Sequence, residues 1–249
     1  MTSANLPGAI LITGANGGLG SKLVENLLQS GTRNIACHHR SSAASITPLF
    51  EAQGIDPANH LFQAELTDEG AVHALGKAVQ ERLGPVCGVV NIAGSSSNAM
   101  SWKLSTQDFL RVLNENLLST FHVTREFLPG MRENQGGRVI NISSIIAHTG
   151  VMGASHYCAA KAGIEGFSRA VALEVASKNI TVNCLALGYF DAGLIADVPA
   201  EMINQITSKV PLKRLGRAEE LFPLVHYLLS RESGFMTGQV LHLNGGLYL

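Results

Sequence analysis

A chain of 249 residues with 46% hydrophobic and 15% charged residues can bury a sizeable core and fits one α/β domain. Its net charge of −1, with no basic block or acidic tail, argues against nucleic acid or an anionic membrane as a main partner. The four cysteines, Cys37, Cys87, Cys158 and Cys184, form no Cys-x-x-Cys pair, so neither a metal site nor a disulfide framework is expected, and reduced thiols in the cytoplasm fit best. Residues 1–9 carry neither a charged n-region nor a long apolar run, so no signal peptide is expected. No apolar stretch approaches the ~20 residues that a membrane-spanning helix needs.

In chain order, short apolar runs alternate with longer amphipathic stretches, the pattern of a parallel sheet wrapped by helices. Strands are expected near 8–13, 34–38, 60–64, 87–91, 137–143, 180–185 and 239–243. Helices are expected near 18–30, 42–53, 68–83, 106–133, 155–177 and 218–230. Right-handed crossovers between parallel strands then give a single-domain, doubly wound (Rossmann) α/β sheet of about seven strands over 1–249. Residues 188–212 are the least regular part, interrupted by Gly188, Gly193, Pro199 and Pro211, and read as a substrate lid or as a plain surface helix-loop.

The first strand, Ile10-Leu11-Ile12-Thr13, runs directly into Gly14-Ala15-Asn16-Gly17-Gly18-Leu19-Gly20. Gly14, Gly18 and Gly20 lie where strand becomes helix. Without side chains there, the backbone approaches a pyrophosphate whose charge faces the helix N-terminus, and Asn16 and Leu19 belong to the same cradle. The second strand ends Ala36-Cys37-His38-His39-Arg40-Ser41-Ser42. It offers no carboxylate to bind a ribose 2′-hydroxyl and repel a 2′-phosphate. Arg40 can instead grip a phosphate bidentately, flanked by His39 and Ser41, which favours NADP (NADPH) over NAD. The alternative is an ordinary solvated strand end.

Further along, Tyr157-Cys158-Ala159-Ala160-Lys161 places a phenol and an ammonium four residues apart, on one face of a helix. Tyr-x-x-x-Lys alone is common by chance. A free tyrosine titrates near ~10, and a neighbouring cation is expected to lower that value, so that Tyr157 exchanges a proton near neutral pH. Ser144 lies thirteen residues upstream, at the end of Arg138-Val139-Ile140-Asn141-Ile142-Ser143.

In order and spacing, Thr13-Gly14-x-x-x-Gly18-x-Gly20, Asn91-Ile92-Ala93-Gly94, Asn116, Ser144, Tyr157 and Lys161 resemble the short-chain dehydrogenase/reductase pattern over nearly the whole chain. From 137 to 249 the resemblance is closest to the 3-oxoacyl-[acyl-carrier-protein] reductases. It is carried by Lys161-Ala162-Gly163-Ile164-Glu165-Gly166-Phe167-Ser168, by Glu174-Val175-Ala176-Ser177-Lys178-Asn179-Ile180-Thr181-Val182-Asn183 and by Asn244-Gly245-Gly246-Leu247-Tyr248. The resemblance implies that Tyr157 donates a proton to the developing alkoxide, that Lys161 lowers the Tyr157 pKa and holds the nicotinamide ribose, and that Ser144 binds the substrate carbonyl. It implies further that Asn116 breaks local helix bonding and holds a relay water. Asn114 competes with Asn116 and Ser143 with Ser144; the family frame and the interval to Tyr157 favour Asn116 and Ser144.

For the cofactor, the resemblance implies that Glu65 and Leu66 flank the adenine and that Asn91, Ala93 and Gly94 line the site. Ile92 replaces a second Asn, and Asn91 reads equally well as an amide stabilising the central strands. Gly17 stands where NADP-dependent relatives often carry a basic residue. Leu187-Gly188 replaces a usual Pro-Gly and Ala192 a usual Thr, which leaves the backbone around Gly188 and Phe190 to bind the nicotinamide amide. His148 and His156 read as loop or packing residues, because no carboxylate is placed to orient them. Met100 and Trp102 touch either substrate or core. The apolar tail Leu247-Tyr248-Leu249 and the resemblance imply a homotetramer, and Lys178 with Arg132 partly match the surface where such reductases receive an acyl carrier protein. The expected activity is NADPH-dependent reduction of a 3-oxoacyl thioester on that carrier. The alternatives are a specialised polyketide or aryl-polyene ketoreductase, a small-ketone reductase, and a non-catalytic dinucleotide-binding protein.

Overall fold

The computed structural model describes residues 7–193, 195 and 198–249. Most of the region read for a signal peptide, and Leu194, Ala196 and Asp197 of the irregular insert, lie outside the described residues. The strands β1 (Ala9–Thr13), β2 (Ile35–His39), β3 (Leu61–Gln63), β4 (Val86–Asn91), β5 (Gly137–Ser144), β6 (Ile180–Leu187) and β7 (Val240–Leu243) form one parallel sheet in the order β3-β2-β1-β4-β5-β6-β7. The chain thus has the expected single-domain, doubly wound α/β fold.

Strand alternation divides the core between the two faces. Ile10 and Ile12 pack on one side with Leu23, Leu27, Val225 and Leu228, from the helices α1 (Gly18–Gln29) and α9 (Leu221–Leu229). Ala9 and Leu11 face the opposite side, where Val72, Val79, Val123, Phe127 and Val171 come from α3 (Glu69–Leu83), α5 (Ser119–Glu133) and α7 (Ser155–Val175). Because both faces are covered, the strands read as nearly continuous apolar runs rather than as alternating ones.

Three boundaries differ from expectation. The helix expected over 42–53 shrinks to α2 (Thr47–Glu51), whose Pro48 sits in its first turn. The long helix expected over 106–133 is interrupted: α4 (Thr106–Leu113) passes into a π-turn, Asn114–Leu118, before α5 begins. The cause is Asn116, whose Nδ2 donates to the Val112 carbonyl 2.9 Å away, while Ser119 Oγ and Thr120 Oγ1 donate to the Asn116 carbonyl. Side-chain bonds of this kind compete with the helical ladder. The irregular stretch after β6 holds a helix of its own, α8 (Ala200–Lys209). The small helix α6 (Ile146–Thr149) follows β5.

The strand order reverses between β1 and β4, and ligands of doubly wound sheets bind outside the carboxyl ends of the strands at such a point. Thr13 fastens this junction: its Oγ1 accepts from the Ile92 and Ala93 amides at 3.1 and 3.2 Å. Among the described residues, no helix is long and apolar enough to cross a membrane.

Candidate active site

The glycine turn is fixed by contacts that a side chain would destroy. Gly14 has φ +64°, and a Cβ there would lie 2.8 Å from Ala93 Cα. A Cβ on Gly20 would lie 2.3 Å from the Gly14 carbonyl, and one on Gly18 would lie 2.5 Å from the Gly193 amide. Helix α1 starts from this turn with no side-chain cap and no acidic residue in its first turn. Its leading N–H groups and the positive end of its dipole therefore face the mouth of the sheet, the arrangement that suits a pyrophosphate.

Around the turn, Asn16 Oδ1 accepts from the Ser45 amide and hydroxyl at 2.9 and 2.7 Å, bracing the turn against the loop after β2. Leu19 packs beside the core cluster that includes Phe190. A contact that the sequence did not signal comes from His38. Its Nδ1 accepts from the Gly14 amide at 3.2 Å while its Nε2 donates to the Ala64 carbonyl at 3.0 Å, and burial pushes its pKa down to about 4. His38 is thus a neutral strut between the glycine turn and the end of β3. Burial also lowers the pKa of neighbouring His39. Arg40 is 66% exposed, with its guanidinium 3.8 Å from Glu115 Oε1, and Ser41 beside it is exposed. Glu65 accepts from the Thr67 amide and hydroxyl at 3.0 and 2.9 Å, and these bonds hold its carboxyl below the usual range. Leu66 is buried, and its carbonyl accepts from His122.

Asn91 is engaged inside the domain. Its Nδ2 donates to Asn141 Oδ1 at 2.8 Å and to Thr124 Oγ1 at 3.2 Å, and Asn141 in turn donates to Ser168. These contacts fit an amide that ties the central strands to α5 and α7, while its buried Oδ1 has no partner among the described residues. The Ala93 amide is held by Thr13 Oγ1, and Gly94 lies against the Asn116 side chain. Gly188 donates its amide to the Leu243 carbonyl, and a Cβ on it would meet Asn244 Cα at 2.7 Å. Phe190 is buried, and its bridge to Gly216 runs through Tyr189 O and Asp191 N.

Helix α7 brings Tyr157 and Lys161 to the ends of β4 and β5. Lys161 is 3% exposed, donates to the Ile142 carbonyl at 2.9 Å and places Nζ 5.4 Å from the Tyr157 ring centroid. Burial pulls its pKa down to about 8. Tyr157 departs from expectation: burial pushes the phenol up rather than down. The ammonium lies over the ring and is bound to a carbonyl, so desolvation of the phenolate outweighs the cation. Asn116 is fully buried in the π-turn. Its Nδ2 donates to the Ser95 and Val112 carbonyls, and its Oδ1 has no partner among the described residues. That oxygen would stand 2.4 Å from a Cβ on Gly94, and Lys161 Nζ 3.7 Å from it, so glycine at 94 lets the three meet. Asn114, its competitor, is exposed.

Ser144 Oγ has only long contacts, 3.5 Å to the Leu187 carbonyl and 3.4 Å from the Ile146 amide. Ser143, its competitor, is buried and donates to Glu165 Oε1 at 2.7 Å. The same carboxylate oxygen lies 3.0 Å from His148 Nε2, which corrects the expectation that no carboxylate orients this histidine. The signal was hidden because Glu165 sits one turn beyond Lys161 and is turned inward. His148 also stacks on Tyr248, with ring centroids 4.9 Å apart. His156 is buried with Nε2 2.9 Å from Ser97 Oγ. Trp102 is 79% exposed, which removes its core-packing reading within one chain.

A family model described as "Enoyl-(Acyl carrier protein) reductase" matches residues 14–248. The chain is 36% identical to "Nodulation protein G" of Rhizobium sp. (strain N33), over 95% of both proteins. It is 35% identical to "3-oxoacyl-[acyl-carrier-protein] reductase FabG" of Buchnera aphidicola, over 96% of both. It is also 35% identical to "Acetoacetyl-CoA reductase" of Allochromatium vinosum, over 96% of this chain and 98% of that protein.

Proposed function

The chain belongs to the short-chain dehydrogenase/reductase family and is an NAD(P)-dependent oxidoreductase, and from that premise we propose that it reduces 3-oxoacyl thioesters with NADPH. The observation that carries this reading is the meeting of Asn116, Gly94 and Lys161 beside Tyr157 at the sheet mouth, next to an uncapped helix N-terminus suited to a pyrophosphate. Relatives named as reductases of acetoacetyl-CoA and of carrier-bound 3-oxoacyl groups support the substrate class. NADPH supplies the hydride when bound. Gly14, Asn16, Gly18, Leu19 and Gly20 would cradle its pyrophosphate, His39, Arg40 and Ser41 its 2′-phosphate, and Glu65 and Leu66 its adenine. Ala93, Gly94, Gly188 and Phe190 would line the rest of the cleft through their backbones.

In the reaction we infer, the carbonyl oxygen lies between Tyr157 Oη and Ser144 Oγ. Ser144, held only by long bonds, donates to that oxygen and stabilises the charge growing on it. Tyr157 keeps its proton, because burial disfavours the phenolate, and transfers it to the same oxygen. Lys161, with a pKa brought near the working range, returns a proton toward Tyr157. The unpartnered Asn116 Oδ1 accepts from a water that feeds Lys161 from solvent. The stretch 188–212 serves as the substrate lid; Gly193 lies directly over Gly18, so the start of that stretch covers the glycine turn.

An acyl carrier protein is acidic, and its docking is proposed at Arg132 and Lys178, which close α5 and the turn after α7. A homotetramer working in the cytoplasm completes the reading. The test is NADPH oxidation with acetoacetyl thioesters, carrier-linked and free. An Arg132→Glu/Lys178→Glu variant is expected to lose kcat/KM on the carrier-linked substrate alone. Equal loss on both substrates, or no loss on either, removes docking at this surface. In the alternative of a specialised polyketide or aryl-polyene ketoreductase, the exposed Trp102 would be the residue to meet the acyl group. Its loop is tied to the start of α7 by the Ala99–Gly153 and Ser101–Ser155 bonds.

A further inference from the structure

Glu115 lies in the π-turn one residue before Asn116, and its side chain is 21% exposed. Three groups converge on it. Arg40 Nη1 is 3.8 Å from Oε1, Arg111 Nη1 is 3.4 Å from Oε2, and the Ser95 hydroxyl donates to Oε2. Arg40 belongs to the end of β2 and Ser95 to the segment after β4. The carboxylate therefore bridges the two banks of the cleft on its adenosine side. It also borders the open pocket of about 330 Å³ that Glu65, Thr67 and Arg111 line.

The guanidinium read as a phosphate clamp thus already has a counter-ion in the fold. A 2′-phosphate must share Arg40 with Glu115 and remain near a carboxylate of like charge, whereas a ribose 2′-hydroxyl meets neither penalty and can donate to that carboxylate. We propose that Glu115 is a specificity determinant, competing with the 2′-phosphate for Arg40 and so narrowing the preference for NADPH over NADH. The inference rests on the reading of Arg40 as the 2′-phosphate contact. Glu115→Gln removes the charge and keeps the shape, and the amide still hydrogen-bonds Ser95 and Arg111.

The test is equilibrium binding, followed by the fluorescence of NADPH and NADH on the full chain, with 2′,5′-ADP and 5′-AMP as fragment probes. Glu115→Gln is expected to tighten NADPH and 2′,5′-ADP about three- to fivefold at low salt, the upper part of the range for a partly exposed charge pair. NADH and 5′-AMP should shift less than about twofold, and the gain should shrink as salt rises. In an Arg40→Ala background the gain should vanish, since the two residues act through one interaction. Equal tightening of both cofactors, weakening of NADPH, or a gain that persists in the Arg40→Ala background overturns the proposal. If Arg40→Ala leaves the NADPH/NADH ratio of the wild type unchanged, the underlying reading of Arg40 fails with it. If that ratio collapses in Arg40→Ala but does not move in Glu115→Gln, the role of Glu115 alone is overturned.

Discussion

The two ends of the cleft are built on different principles. At the end read as the nicotinamide side, Lys161 and Asn116 are almost wholly buried, held by carbonyls of β5, α4 and the segment after β4. At the end read as the adenosine side, Arg40 is 66% exposed and pairs loosely with Glu115 at 3.8 Å. Burial fixes geometry and moves pKa values, which is what the proposed proton chemistry asks of the inner end. Exposure leaves charges adjustable and screened, which suits the proposed tuning of affinity between similar anions at the outer end.

Each prediction attacks one side of that contrast. The largest effect belongs to Tyr157→Phe, which deletes the proton donor and should lower kcat by ~10²–10⁴-fold with NADPH affinity nearly intact. Steady-state kinetics beside cofactor titration checks this, and retention of more than about a tenth of kcat removes Tyr157 as the donor. Next comes pH. With Lys161 titrating at about 8, ketone reduction should decline as pH rises through that value. The same group is protonated in the unfolded chain up to ~10.4. Between those values the unfolded state binds more protons, so the contribution of Lys161 to stability grows with pH. Falling kcat without a matching fall in Tm is therefore expected, and a flat kcat up to pH ~10, near the unperturbed lysine value, contradicts the assignment. The smallest effect concerns assembly. Leu247 and Tyr248 are half-buried within the chain against the cluster of Ile145, Ile146 and Ala154, which leaves part of each for another subunit to cover; Leu249 is fully exposed. Leu249→Asp should weaken the proposed tetramer, read from elution volume at micromolar concentration. A monomeric wild type contradicts it.

What the sequence made legible were features with local signatures. The glycine turn at 14–20 follows from a strand running into a helix, and the Tyr157/Lys161 face follows from one helical turn. Seven strands could be placed because buried parallel strands are short apolar runs. The contacts that escaped join distant residues whose types carry no signal alone: His38 with Gly14, Glu115 with Arg40, and Glu165 with His148. The direction of the Tyr157 shift was missed for a related reason. Spacing shows that a cation is near, but only the packed structure shows that burial outweighs it. Asn116 could be expected to disturb its helix, whereas the π-turn that resulted depends on the Ser95 and Val112 carbonyls being within reach.

The division between the two ends is tested most directly by the hydride-transfer rate of Arg40→Asp at saturating NADPH. Replacing a distant phosphate clamp with a carboxylate should raise the NADPH dissociation constant well above any change for NADH, while the rate at saturation stays within about twofold of wild type. A saturated rate that collapses as far as that of Tyr157→Phe would mean that the outer end takes part in the chemistry, and would contradict the account.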